Sequence, residues 1–240
     1  MGPIAAILLA GGLVALFVGG YLKLKGGRIT KTPLLPTGQA AGHRDGLVSV
    51  QGAVRCAEPL IAPASGTPCL YYALEVVGSW KAGDSRKSKK YVEQKHAAAF
   101  TLDDGSGGVG VDLTKGGDMG LERSFSETQK EGLLADLKSA VKGRGEAMQF
   151  GGFTFQNPTM SKADRFECVE RIVPVPERAF ALGKIDEAGR VGPSGVLGVM
   201  FSAKSREELL GASAKNAKLA FLGGAAAAAV GGVLGLITLL

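Results

Sequence analysis

Uncharged apolar runs mark both ends of the chain. From Pro3 to Leu22 no charged side chain interrupts the series from Ile4 through Leu8 and Leu9 to Leu16, Phe17 and Val18. As a helix this run extends about 30 Å at about 1.5 Å per residue. Leu219 to Leu240 is likewise uncharged. Both are predicted to be terminal transmembrane helices, because a run of about twenty residues without a charge is hard to cover on every face in a small domain. Met1-Gly2-Pro3 places no basic residue ahead of the first run, so the expectation is an uncleaved anchor and not a secretory signal.

Between these runs the pattern changes to short alternations. Pro33 and Pro36 break helix, and residues 23–46 are expected to be a linker. Leu47 to Val54 alternates apolar with small or polar positions, as a half-buried strand does. Cys69 to Val77 is aromatic and branched, which also predicts a strand. The basic stretch with Lys81, Arg86, Lys87, Lys89 and Lys90 is read as a solvated loop. Ala99–Leu102 and Val109–Leu113 flank Asp103-Asp104-Gly105-Ser106-Gly107-Gly108, a hairpin turn by composition. Ser126-Glu127-Thr128-Gln129, with Leu133, Leu134, Leu137 and Val141, is expected to form an N-capped amphipathic helix ending at Gly143.

Further strands are expected over 153–155, 165–173, 178–182 and 196–201. Ser205-Arg206-Glu207-Glu208 matches a capping box that starts a helix. The expected fold class is therefore a membrane protein: two terminal transmembrane helices plus a mainly β, antiparallel, barrel- or sandwich-like soluble domain with one or two helices. Its boundaries are 3–22 for the first span, 23–46 for the linker, 47–204 for the β-rich domain, 205–218 for a juxtamembrane helix and 219–240 for the second span.

Charge then orients this scheme. Lys and Arg outnumber Asp and Glu by 28 to 22. Lys23, Lys25, Arg28 and Lys31 follow the first run, and Lys204, Arg206, Lys215 and Lys218 precede the second. By the positive-inside tendency both flanks stay cytoplasmic, which predicts a two-span protein with its middle domain in the cytoplasm. Lys23, Lys25, Arg28, Lys215 and Lys218 are candidates for contact with anionic lipid. Small residues recur at four-residue spacing, as Gly11, Ala15 and Gly19 in the first run and Gly223, Ala227, Gly231 and Gly235 in the second. Such stripes let helices approach closely, within one chain or between copies.

Candidate chemistry is sparse. Cys56, Cys69 and Cys168 are odd in number and lack any CxxC spacing, which fits a reducing compartment. The acidic residues Asp103, Asp104, Asp112 and Asp118 invite a metal reading, but Thr114 stands where a calcium loop needs its Glu. The expectation is turn chemistry, with no metal and no cofactor. No Gly-Lys-Ser/Thr ends the Gly-rich stretch 105–117, and no G-x-S-x-G is present. His96, Asp103 and Asp104 remain as one cluster that could converge in space.

The order of several motifs resembles a known family. Val48-x-Val50-x-Gly52-x-Val54 is followed by Pro63-x-Ser65-Gly66-x-Pro68-Cys69-x-Tyr71 and by Phe100-x-Leu102-Asp103-Asp104-x-x-Gly107 with Val109-x-Val111-Asp112. Glu167-Cys168-Val169-Glu170 and Phe180-x-Leu182-Gly183 come next. In this order, between two apolar termini, they look like the GIDE or "beside a membrane" (BAM) domain. That domain lies between the two spans of the mitochondrial GIDE/MULAN-type ubiquitin ligases and also occurs in bacterial membrane proteins. The layout similarity covers residues 3 to 240.

The resemblance implies a bacterial-type member, placed in the inner membrane. The eukaryotic members end in a zinc-binding RING finger, whereas the three Cys, His43 and His96 here have no RING spacing. Ubiquitin-ligase activity is accordingly not carried over. The expected role is a membrane-anchored binding, scaffold or sensor module with no catalytic set. Its expected partners are the lipid bilayer and an unidentified protein, with homo-oligomerisation left open and nucleic acid disfavoured. The competing readings are a membrane-bound enzyme whose site no local motif reveals, or an oligomeric membrane assembly.

Overall fold

A computed structural model describes residues 3–130, 147–156, 163–195 and 198–237. Two antiparallel sheets form the body. In the first, β1 (Val48–Arg55) lies between β5 (Thr101–Asp103) and β12 (Arg178–Ile185). Beyond β5 comes β6 (Gly108–Gly110), and beyond β12 come β14 (Val199–Ser202) and β7 (Gly117–Asp118), with β13 (Val191–Gly192) also on β12. The pairing of β14 with β7 is parallel. In the second sheet, β11 (Arg165–Pro174) lies between β3 (Pro68–Ala82) and β8 (Glu122–Lys130). The other edge of β3 carries β2 (Leu60–Ile61) and β4 (Ser85–Ala97). A separate hairpin joins β9 (Ala147–Phe150) to β10 (Phe153–Gln156).

Alternation along the strands sorts their side chains into distinct cores. Val48, Val50, Leu102, Ala181 and Phe201 of the first sheet meet Leu70, Tyr71 and Val173 of the second in the main core. The opposite face of the first sheet presents Phe180, Leu182 and Met200 to Ile29 and Leu209 of the helices. Leu74, Val76, Phe166 and Cys168 of the second sheet pack beneath Phe150 and Phe155 of the small hairpin. Fully burying a Phe or Leu side chain is worth about 1.5–3 kcal/mol, so these three layers hold the body together.

Three helices are present among the described residues: α1 (Pro3–Lys31), α2 (Thr37–Ala40) and α3 (Arg206–Ile237). Among those residues no helix is long and apolar enough to cross a membrane. The two expected transmembrane helices, and the two-span membrane localisation built on them, are therefore overturned. Freedom from charge was the basis for expecting spans, but much of each run is Gly and Ala, and Ala offers a single methyl where Gly offers none. Each helix also continues through a charged half, with Lys23 to Lys31 in α1 and Arg206 to Lys218 in α3. The mainly β, antiparallel part of the expectation holds.

Three local expectations differ as well. The segment 23–46 is not an open linker: α1 runs on to Lys31, Leu34 bridges Ser49, and Leu35 donates its N–H to the Ser49 carbonyl at 2.9 Å. The basic stretch after Lys81 is β4, paired along β3 from Tyr71↔Ala97 to Ala82↔Ser85. Its charges find partners, with Lys90 2.9 Å from Glu75 across the ladder, Lys95 2.5 Å from Glu93 within β4, and Arg86 paired with Asp164, so a polar sequence still forms a ladder. Ser126 to Gln129 belongs to strand β8, whose partner is β11. Phe125 packs beside the core of the small hairpin, and this tertiary contact prevails over a capping-like pattern. The remainder of that expected helix, with Leu133, Leu134, Leu137 and Val141, lies outside the described residues.

The capping box at the start of α3 is formed. Ser205 donates its N–H to Glu208 at 2.7 Å, and Glu208 donates its N–H to the Ser205 hydroxyl at 3.2 Å, which satisfies two of the helix's free donors.

Candidate functional site

The two long helices pack against each other antiparallel through small residues. A Cβ built on Gly12 would lie 2.8 Å from the Ala228 nitrogen and 2.9 Å from the Gly224 oxygen. One on Gly19 would meet the Ala220 Cβ at 3.3 Å, and one on Gly26 would meet the Ser213 Cβ at 3.3 Å. Gly12, Gly19 and Gly26 thus repeat every seven residues along the seam, the spacing that keeps one helix face on a partner. In α3 the matching positions Ser213, Ala217, Gly224 and Gly231 are buried.

Of the expected stripe, Ala15, Gly19, Ala227 and Gly231 are wholly or partly covered, whereas Gly11 and Gly223 face open space. Gly235 lies outside the residues whose surroundings are described.

Arg206 fastens this pair to the sheets. Its guanidinium donates to the carbonyls of Ile29 at 3.0 Å and Thr32 at 3.3 Å, at the C-terminal end of α1, where a cation is favoured. Its own N–H donates to the Gln51 side chain of β1 at 2.9 Å. One residue therefore joins the end of one helix, the start of the other and the first strand.

The outer side of each helix is apolar and open. Val14, Phe17, Tyr21 and Leu24 follow one another at three- and four-residue intervals on α1, and Leu219, Leu222 and Val230 stand out on α3. Phe17 is 80% exposed and Leu24 73% exposed, so these side chains are not spent on the fold.

Where α1 meets the β body there is a cleft of about 1130 Å³. Gly20, Lys23, Leu24, Gly27, Arg28 and Lys31 form its helical wall, and His43, Asp45 and Leu47 stand opposite. Arg28 reaches across to the Ser194 hydroxyl at 3.1 Å.

The five candidate basic residues therefore part company. Lys23 and Arg28 line the cleft, Lys25 is held 2.5 Å from Asp118, and Lys215 and Lys218 are exposed on α3. Lys31 and His43 complete the basic side of the cleft, and only the return of segment 43–47 onto α1 reveals them.

The cluster of His96, Asp103 and Asp104 is divided among separate tasks. His96 stacks on Tyr72 across the β3–β4 ladder, with ring centroids 5.1 Å apart. Asp103 accepts the Gly105 N–H at 2.8 Å within the β5–β6 turn. Asp104 accepts from the Thr37 hydroxyl at 2.6 Å, the Thr37 N–H at 3.1 Å and the Ser106 N–H at 2.9 Å, which ties α2 to that turn. The hydrogen bonds from Ser106 and then Thr37 hold its carboxyl well below the usual carboxylate range. Among the described residues no hydrogen bond or ion pair joins His96 to either aspartate. Asp112 caps its own turn through the Thr114 N–H at 2.9 Å.

Glu170, which carried no functional reading in the sequence, is fully buried in β11. Its carboxylate accepts from the Ala64 N–H at 2.7 Å, the Ser65 N–H at 3.2 Å and the Ser124 hydroxyl at 2.8 Å. It thereby pins the 62–67 turn to the sheet. All three cysteines are free. Burial pushes the Cys69 thiol up to about 11 and the Cys168 thiol up to about 12, and the neighbouring Glu170 adds to both. Neither is a reactive thiolate at neutral pH. Among the described residues no group of three or more His, Cys, Asp and Glu side chains can hold a metal ion.

A family model for GIDE, described as an E3 ubiquitin ligase, matches residues 77–235. No curated protein matches the chain, and no solved structure does.

Proposed function

The chain belongs to the GIDE family, and on that footing we propose that it acts as a binding or scaffold module that recruits a protein partner and performs no ligase chemistry itself. The observation that carries this reading is the apolar outer face of α1. Val14, Phe17, Tyr21 and Leu24 are spaced like the docking face of an amphipathic helix, on the side opposite Gly12 and Gly19. Contiguous exposed apolar side chains of this size mark interaction surfaces. Arg206 and the contacts of Ile29 and Leu209 with the first sheet hold that face on a rigid body.

The cysteine and histidine positions support the non-catalytic half of the reading. Cys69 and Cys168 are buried in β3 and β11, His96 stacks in β4, and His43 lies beside the cleft. These four sulfur and imidazole groups, with Cys56 just after β1, serve separate parts of the fold.

The test is capture with the full chain carrying a tag, run beside a Phe17→Ser/Tyr21→Ser variant. The expected result is a reproducible protein partner recovered by the native chain and lost with the variant, while both keep the same circular dichroism spectrum. Equal recovery by both, or no reproducible partner from a folded chain, would overturn the reading. Sedimentation of the purified chain separates a foreign partner from a second copy, which would appear as a dimer that the double variant dissociates.

A further inference from the structure

The cleft at the foot of α1 adjoins the outer face of that helix at Leu24 and adds cations that Val14, Phe17 and Tyr21 lack. Gly20, Lys23, Leu24, Gly27, Arg28 and Lys31 fall at intervals of three, one, three, one and three, so they occupy one side of the last three turns. From Gly20 to Lys31 that wall extends about 16 Å at about 1.5 Å per residue. The two glycines leave the wall hollow, since a Cβ placed on either meets nothing within 4 Å. Leu24 and Leu47 supply apolar surface from opposite sides.

Charge on the rim is one-sided. Lys23, Arg28 and Lys31 face a single acid, Asp45. Among the described residues Lys23 and Lys31 enter no ion pair, and Arg28 is engaged with the neutral hydroxyl of Ser194. Arg28 and Lys31 are neighbours one helical turn apart, near enough to hold one anionic group between them.

We propose that this cleft binds a single-chain anionic amphiphile, a fatty carboxylate, with its chain along Gly20, Leu24 and Gly27 and its carboxylate between Arg28 and Lys31. Apolar surface from Leu24 and Leu47, with Arg28 and Lys31 at the end of the helix, complements that ligand on both counts. A volume of about 1130 Å³ lies just above the roughly 300–1,000 Å³ of small-molecule sites, which leaves room for an acyl chain. The proposal does not rest on recruitment of a protein by the outer face, and its test separates the two surfaces.

The experiment titrates the full-length chain with 11-(dansylamino)undecanoic acid, follows dansyl fluorescence, and displaces the probe with oleate below its micellar concentration. Saturable binding of one probe per chain is expected. Lys31→Glu should weaken it at least tenfold, and Gly20→Leu/Gly27→Leu, which raises helix propensity while filling the trough, should abolish it. Phe17→Ser lies outside the cleft and should leave affinity within twofold. The proposal is overturned if Lys31→Glu or the double leucine variant binds as the native chain does. It is equally overturned if Phe17→Ser removes binding, which would place the chain on the outer face, or if acetate displaces the probe as well as oleate does.

Discussion

Adjacent glycines in α1 should respond oppositely to the same substitution. Gly11→Ala adds a methyl where nothing lies within 4 Å. Its effect is the gain in helix propensity alone, about 0.8–1 kcal/mol. Gly12→Ala brings the same gain but sets its methyl 2.8 Å from the Ala228 nitrogen and 2.9 Å from the Gly224 oxygen. Those are backbone atoms that cannot rotate aside, so the two helices must separate, and overpacking of this kind costs about 1–3 kcal/mol. Gly12→Ala should therefore be about 1–3 kcal/mol less stable than Gly11→Ala, although the two differ by one position. Urea unfolding followed by helical circular dichroism measures that difference directly. Equal stabilisation by both would show that the helices do not meet at Gly12. The reverse order would show α1 turned by about 100°, one residue on a helix of 3.6 residues per turn.

Glu170→Gln replaces an acceptor of three hydrogen bonds by an amide that turns one NH₂ toward the donors of Ala64, Ser65 or Ser124. A loss of about 2–3 kcal/mol in urea unfolding is expected, with faster proteolysis in the 62–67 turn, and unchanged stability would refute the pinning role. Ser205→Ala removes the hydroxyl that accepts the Glu208 N–H and should cost about 1 kcal/mol, read in the same assay. For the thiols, Cys69 and Cys168 titrate above the ordinary value of 9.0, at about 11 and about 12. Folding therefore favours their protonated forms. Their contribution is complete below pH 9 and fades as pH rises toward those values. Iodoacetamide at pH 8 should modify Cys56 in the folded chain and reach the other two only after unfolding, as counted by mass spectrometry.

Local signals in the sequence carried much of the β body. The Asp103–Gly108 composition announced the β5–β6 hairpin, the alternation from Val48 to Val54 announced β1, and Ser205 with Glu208 announced the start of α3. Each depends on neighbours a few residues apart. Strand β4 was hidden because Lys90 gains its partner Glu75 only when β4 pairs with β3.

The helix termini were misread for a related reason. A charge-free run resembles a span until the helix is seen to continue past it, and the packing repeat Gly12-Gly19-Gly26 extends into the segment expected to be a linker. The four-residue stripe therefore began one residue early, at Gly11. The cleft and the buried carboxylate of Glu170 both require distant segments to come together, His43 to Leu47 against α1 and Ala64 with Ser65 against β11. No local periodicity encodes either meeting.

The outer face of α1 is the centre of the functional account, and its occupancy is open to direct measurement. Single cysteines at Phe17 and Tyr21, both exposed on that face, would be introduced into a chain lacking Cys56 and labelled with a maleimide, once in the purified protein and once in native extract of the source cells. The account predicts rapid labelling in the purified chain and protection in the extract, with a cysteine at Lys215 labelled alike in both. Equal labelling of all three positions in both settings would contradict it.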